Sequence, residues 1–154
     1  MEKQARIYLY TKLFLLVGFY KTRTGLWLMN KSIQRIEEDS SEFIIGKGVK
    51  KMMDEIDLRI FENPARNEFK NLDINLLKEA GCKTKKEFWN NVIEITCLFN
   101  EGVLTLIPTE NHGIKKGFKF TKHPSIIIDY ENTSLEKLGR EVKKAFSMSI
   151  IVSN

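Results

Sequence analysis

Read against itself with a shift of 93 residues, the chain shows one unit twice, and that repetition limits the folds open to it more than any other feature. The first copy runs Ser32-Ile33-Gln34-Arg35-Ile36-Glu37-Glu38, then Ser41, then Ile45-Gly46-Lys47-Gly48-Val49-Lys50-Lys51. The second runs Ser125-Ile126-Ile127-Ile128-Asp129-Tyr130-Glu131, then Ser134, then Leu138-Gly139-Arg140-Glu141-Val142-Lys143-Lys144. Ser41 falls on Ser134, Gly46 on Gly139 and Val49 on Val142; the lysine pairs coincide, and Ile45/Leu138 and Lys47/Arg140 are chemical equivalents. Each copy reads as a short strand, a polar turn and a helix capped by Ser41 or Ser134.

In the second helix Leu135, Leu138, Val142, Ala145 and Phe146 form one apolar stripe, with Gly139 beside it. A glycine inside a helix costs about 1 kcal/mol relative to alanine, so a glycine at this place in both copies predicts close approach of each helix to a sheet. Aromatic and β-branched runs upstream predict strands at 6–10, 13–20 and 26–29 in the first half, and at 92–99, 103–107 and 118–121 in the second. Asn100-Glu101-Gly102 reads as a hairpin turn. The connector 58–90 breaks the pattern. Within it Asp73 reads as the cap of a short helix ending at Gly81, and Thr84 with Glu87 as a capping box for another anchored by Phe88 and Trp89. The expected fold is α+β: two related halves, 5–57 and 91–148, each of three to four antiparallel strands followed by a helix, in one domain with a partly helical connector. The strands would form two antiparallel sheets or one curved sheet packed on the repeated helices.

A 154-residue chain with 42% hydrophobic and 29% charged residues has the balance of one folded domain. Leu13 to Tyr20 is far shorter than the roughly 20 residues of a spanning helix, and Arg6, Tyr8 and Tyr10 interrupt what a signal peptide would need, so a cytoplasmic protein is expected. Cys82 and Cys97 then read as free thiols. The net charge of +5 favours encounter with polyanions.

Signs of chemistry are few. His112 and His123 have no nucleophile motif around them and read as surface histidines. Cys82, Cys97, His112 and His123 lie 15, 15 and 11 positions apart, without the close pairs that pre-form a zinc site, and no cofactor is expected. Gly46-Lys47-Gly48 lacks the spacing of a phosphate loop. The carboxylates Glu37, Glu38, Asp39 and Glu42, and Asp129, Glu131 and Glu136, sit where acidic residues stabilise helix N-termini. Lys115 to Lys122 alternates lysine with Phe118 and Phe120, the pattern of a strand with aromatics on the core or, if they are exposed, of a stacking surface for nucleic acid.

Asn111, Gly113, Gly117, the strand Ile126-Ile127-Ile128, the segment Ser134-Leu135-Glu136-Lys137-Leu138-Gly139-Arg140, and then Val142, Ala145-Phe146 and Ser149 resemble the immunity family of contact-dependent growth inhibition. Upstream of Asn111 the likeness holds in general layout only. It implies a non-enzymatic inhibitor, made beside its cognate toxin in the same bacterium, that binds the C-terminal toxin domain one-to-one and blocks its active site. In this family such toxins are often RNA-cleaving, so a tRNA nuclease is the first expectation. Glu37, Glu38, Asp39 and Glu42 could face a basic nuclease cleft. Glu110, His112, Lys115 and Lys116, on the long loop that follows Thr109, form a second expected contact. The layout also resembles the Whirly fold of single-stranded nucleic-acid binders. On that alternative Lys50, Lys51, Lys115, Lys116, Lys119, Lys143 and Lys144 would neutralise phosphates.

Overall fold

In the computed structural model, which describes residues 2–152, a hairpin of β1 (Lys3–Tyr10) and β2 (Leu13–Lys21) leads into β3 (Trp27–Glu37) and helix α1 (Glu42–Asp54). The connector carries α2 (Arg66–Phe69), a single turn, then α3 (Ile74–Ala80) and α4 (Lys85–Asn91). A second hairpin, β4 (Ile93–Asn100) and β5 (Val103–Asn111), is followed by β6 (Phe118–Phe120), β7 (Ile126–Asp129), α5 (Leu135–Ser147) and β8 (Ile150–Ile151). The strands form one open sheet in the order β3-β2-β1-β4-β5-β6, with β7 and β8 also on β5. The pairs between named strands are antiparallel except β5 with β8.

The halves meet at β1 and β4, which pair antiparallel with Arg6 opposite Thr96. Each hairpin turns through two residues of positive φ, Thr11-Lys12 and Glu101-Gly102, a geometry whose twist matches that of the flanking strands. Glu38 N donates to Lys12 O at 2.9 Å, and Tyr130 N to Gly102 O at 3.0 Å. Glu38 and Tyr130 are therefore equivalent, an offset of 92, whereas the helix caps keep 93: Ser41 accepts from Ile44 N and Ser134 from Lys137 N. The strand match read from sequence is one residue out, because the second polar turn is one residue longer. It is Ile36 and Ile128, both buried, that hold equivalent places.

A second correction concerns β3, which runs unbroken where the sequence suggests strands at 26–29 and 32–38. The strand is continuous but its register on β2 shifts there, from Ile33 opposite Val17 to Met29 opposite Phe19, so Asn30, Lys31 and Ser32 form an exposed bulge on the sheet edge in which Ser32 N donates to Asn30 Oδ1 at 3.2 Å. Asp73 also differs from its expected role. Its side chain makes no cap bond to α3; one carboxylate oxygen accepts from Trp89 Nε1 at 2.9 Å and the other lies 3.1 Å from Lys85 Nζ. Thr84 does cap α4 through Glu87 N, but Glu87 turns to Tyr10 OH instead of completing the box.

Alternation along the strands divides the sheet into two faces. On the inner face Ile7, Phe14, Leu16, Ile95, Leu104 and Leu106 pack under α1 and α5. The two helices touch backbone to backbone: a Cβ built on Gly46 would overlap the Leu135 carbonyl, and one on Gly139 the Glu42 carbonyl. The close approach expected of these glycines is thus helix to helix; Gly48 is the one that meets the sheet, against the tip of Ile36. On the outer face α3 and α4 cover the first half, where Leu76, Leu77 and Phe88 join Tyr8, Leu15 and Val17.

Beside that second core lies Glu94, 1% exposed, directly opposite Tyr8. Its carboxylate accepts from Thr96 Oγ1 at 3.2 Å and lies 3.9 Å from Arg6 Nη1. Burial pushes the Glu94 carboxyl up from its ordinary value, with Arg6 and the Thr96 hydrogen bond opposing. The folded state therefore holds this proton more tightly than the unfolded chain. Stability drawn from that difference is greatest below the ordinary carboxyl range and declines as pH rises through the raised value.

Two outcomes are expected in urea titrations. Gly139→Ala and Gly46→Ala each lose at least about 2 kcal/mol of stability despite alanine's better helix propensity, because backbone blocks the new methyl; Gly48→Ala loses less, since a side-chain tip can turn aside. Glu94→Gln gains stability relative to the parent as pH is raised from about 4 to about 7, because the amide, unlike the ionised carboxylate, need not take up a proton on burial.

Candidate functional site

The acidic turn is built by the end of β3 and the start of α1. Glu37, Glu38 and Asp39 are exposed, and the turn is held by Glu38 N on Lys12 O and Ser40 N on Glu37 O. Glu42 is different from its neighbours. Its carboxylate accepts from Arg140 Nε at 3.2 Å, so it bridges the two crossed helices. Lys143 of α5 and Glu38 line one shallow pocket at this end, which leaves Glu37 and Asp39 as the freer charges of the set.

The second expected cluster follows β5. His112 N donates to Gly117 O, and Gly117 N and Lys116 N both reach Gly113 O, closing the loop on itself at Gly113 and Gly117, which have φ of 91° and 72°. Asn111, 1% exposed, ties the loop down: its amide donates to Trp89 O and Val92 O, and its oxygen accepts from Gly113 N. Asn90 accepts from Ile114 N at 2.8 Å. His112 Nε2 and Glu110 Oε2 are 3.1 Å apart. Lys115 and Lys116 line a pocket of about 260 Å³ together with Lys86 and Asn90 of α4. Nothing in the sequence marks Lys86 and Asn90 as its neighbours, because the connector brings them there from outside the repeat.

The two clusters do not meet. Both lie at the end of the sheet where β1 finishes, but β2, β1 and β4 separate β3 from β5. At about 4.8 Å per strand spacing the gap is about 19 Å. The acidic turn and the basic loop are two separate patches of opposite sign.

Lys50 sits 4.3 Å from the ring centre of Tyr130, at the end of the sheet opposite Lys143 and Glu38, so the two lysine pairs of the repeat do not form one track. Phe118 is half-buried against Trp89, their ring centres 6.1 Å apart, whereas Phe120 is 64% exposed. Cys97 is buried on the inner face, where burial raises its thiol pKa, and Cys82 lies 3.5 Å from Tyr10 OH on the outer side; both are free. Among the described residues no three His, Cys, Asp or Glu side chains converge as a metal site. A wider cleft of about 840 Å³ opens between β3 and the connector, with Tyr20, Phe61 and the Asp57–Arg59 ion pair among its walls and no histidine or cysteine. No helix among the described residues is long and apolar enough to cross a membrane.

Comparison with known proteins bears on this geometry. The fold is similar to that of a protein of unknown function, NMB0488, from Neisseria meningitidis, with a TM-score of 0.79 at 15% identity over 97% of this chain and 96% of that one. It is also similar to a chain of the CdiA-CT/CdiI toxin and immunity complex from Yersinia pseudotuberculosis, with a TM-score of 0.74 at 14% identity over 97% and 98%. No curated protein matches the sequence. The sequence model of CdiI, the CDI immunity protein, matches residues 3–149. The chain therefore belongs to the CDI immunity protein family.

Proposed function

We propose that this protein protects the cell that makes it by binding the C-terminal toxin domain of its cognate CDI system one-to-one in the cytoplasm and blocking the toxin's active site. The toxin is an RNA-cleaving nuclease on this reading, and the immunity protein has no catalytic step of its own. The observation that carries the proposal is the family match over 3–149, nearly the whole chain. The rigid, paired loop from His112 to Gly117 supports it, since a surface already in its bound shape loses less conformational freedom on association.

The proposed contact residues are Glu37, Glu38, Asp39 and Glu42 on one patch and Glu110, His112, Lys115 and Lys116 on the other. Complementary charge at such patches acts chiefly on the rate of encounter, and it needs no agreement between the net charges of the partners. That reconciles an inhibitor of net charge +5 with a basic nuclease.

The test is co-expression with the toxin domain encoded beside it, followed by purification of the pair. Growth rescue, a one-to-one complex that survives high salt, and protection of tRNA from cleavage are the expected results. Failure to rescue, with salt-sensitive binding to single-stranded nucleic acid in its place, would overturn the proposal. Within a working pair, the double charge reversal Lys115→Glu with Lys116→Glu is expected to slow association about tenfold or more with little change in melting temperature, read by stopped flow.

A further inference from the structure

The repeat leaves one half of the sheet uncovered. On the outer face of the first half, α3 and α4 bury Tyr8, Leu15 and Val17. In the second half the residues that alternate with the core positions Leu104, Leu106 and Ile128 face outward, with no helix among the described residues over them. Cross-strand register puts Leu98 opposite Thr105 and Thr105 opposite Ile127, so these share that face, with Ile107 and Val103 further along β5. Phe120, opposite Thr109, extends it along β6. Ile127 is 74% exposed, Phe120 64% and Val103 41%. A contiguous apolar area on a sheet face is uncommon unless something covers it.

The border between the covered and open halves carries the clue to the occupant. Arg6 lies there, its side chain 36% exposed, with its guanidinium 4.9 Å from the ring centre of Phe19. Its carboxylate neighbour, Glu94, is a single long contact at 3.9 Å; Glu94 and the Tyr8 hydroxyl favour its charged form, but neither makes a well-aligned hydrogen bond to the buried Arg6 Nε. A cation whose one carboxylate lies 3.9 Å away and whose side chain is still 36% exposed, beside an apolar surface, is matched by a carboxylate brought in by a partner that also excludes water.

We propose that the open outer face of the second half, Leu98, Val103, Thr105, Phe120 and Ile127 with Arg6 at its border, is the main seat of the toxin domain, which meets it with an apolar surface carrying an aspartate or glutamate directed at Arg6. The proposal rests on the immunity reading and names the surface that performs it. The basic loop from His112 to Gly117 follows β5 on the same side of the sheet and forms its rim. The outer face of the first half is closed by the chain's own connector.

The test measures the affinity of the purified toxin domain for the full chain by titration calorimetry. Ile127→Asp and Phe120→Asp change exposed side chains; each is expected to weaken binding at least about 30-fold with an unchanged melting temperature, while Ile44→Asp on the exposed side of α1 binds as the parent does. Arg6→Gln with Glu94→Gln leaves no buried charge behind and is expected to weaken binding about tenfold and flatten its salt dependence. Parental affinity in both face variants overturns the surface and leaves the immunity function standing. A parent that neither binds the toxin nor rescues growth removes that function and this surface with it. Light scattering that shows a dimer of the parent and a monomer of Ile127→Asp, with toxin affinity unchanged, assigns the face to a second copy of the chain and also overturns the proposal.

Discussion

The contact that the rest of the molecule depends on is the crossing of α1 and α5 at Gly46 and Gly139. Each glycine faces a carbonyl of the other helix, so the helices are closer than any side chain would permit. At that distance both helices fit on one face of a single sheet, α1 over β1, β2 and β3 and α5 over β4, β5 and β7. Each helix N-terminus lies against the other, and Arg140 on Glu42 ties them. The apolar stripe Leu138, Val142, Ala145 and Phe146 is thereby turned toward Leu104, Leu106 and Phe14. The helix propensity lost at two glycines, about 1 kcal/mol each, is offset by close packing of two backbones and the core beneath them.

The symmetry that this crossing imposes is broken by the connector. Inserted between the halves, residues 58–91 fold back over one outer face only; Trp89 on Asp73 joins α4 to α3, and the bonds from Asn111 to Trp89 O and from Tyr10 to Glu87 tie the insertion to the sheet. The same insertion shapes both candidate surfaces. It closes one half of the outer face, leaves the other bare, and supplies Lys86 and Asn90 to the basic loop. The insertion thus makes the two similar halves unlike one another, although the proposed contact residues themselves lie in the halves and not in the insertion.

How much of this can be read in the sequence follows from whether a constraint is local. The capped helices, the glycine pair, Gly81 at φ 68° and the Glu101-Gly102 turn are local, and their residue types announce them. Thr11 and Lys12 adopt the same turn with no such signal, because the pairing of long apolar strands on either side enforces it. Sheet edges mislead in the same way: Asn30 to Ser32 look like a turn between two strands and are a bulge within one edge strand. The offset of 92 in the strands, and what Gly46 and Gly139 face, are tertiary facts. Of the proposed contacts, the exposure of Glu37 and Asp39 follows from their types, whereas the bond from Glu42 to Arg140 spans 98 positions and has no local trace.

Tight inhibition does not require a large interface if the surface is already in place. Ordering a loop of several residues costs on the order of 1–2 kcal/mol per residue, which a partner would otherwise have to supply. Here the six residues His112 to Gly117 are held by Asn111, Asn90 and their own backbone bonds, and in the open face β4 and β5 are paired on both sides while the short strands β6 and β7 are each paired to β5. The unpartnered atoms around Arg6 act in the opposite direction, as a local destabilisation of the free protein that a correct partner can relieve. An apolar surface lacking a carboxylate in the right place would leave Arg6 stripped of water and still unmatched, so the same feature that favours the cognate toxin disfavours others. On the proposed reading, the pre-formed backbone contributes affinity and Arg6, with its one distant carboxylate, contributes selectivity.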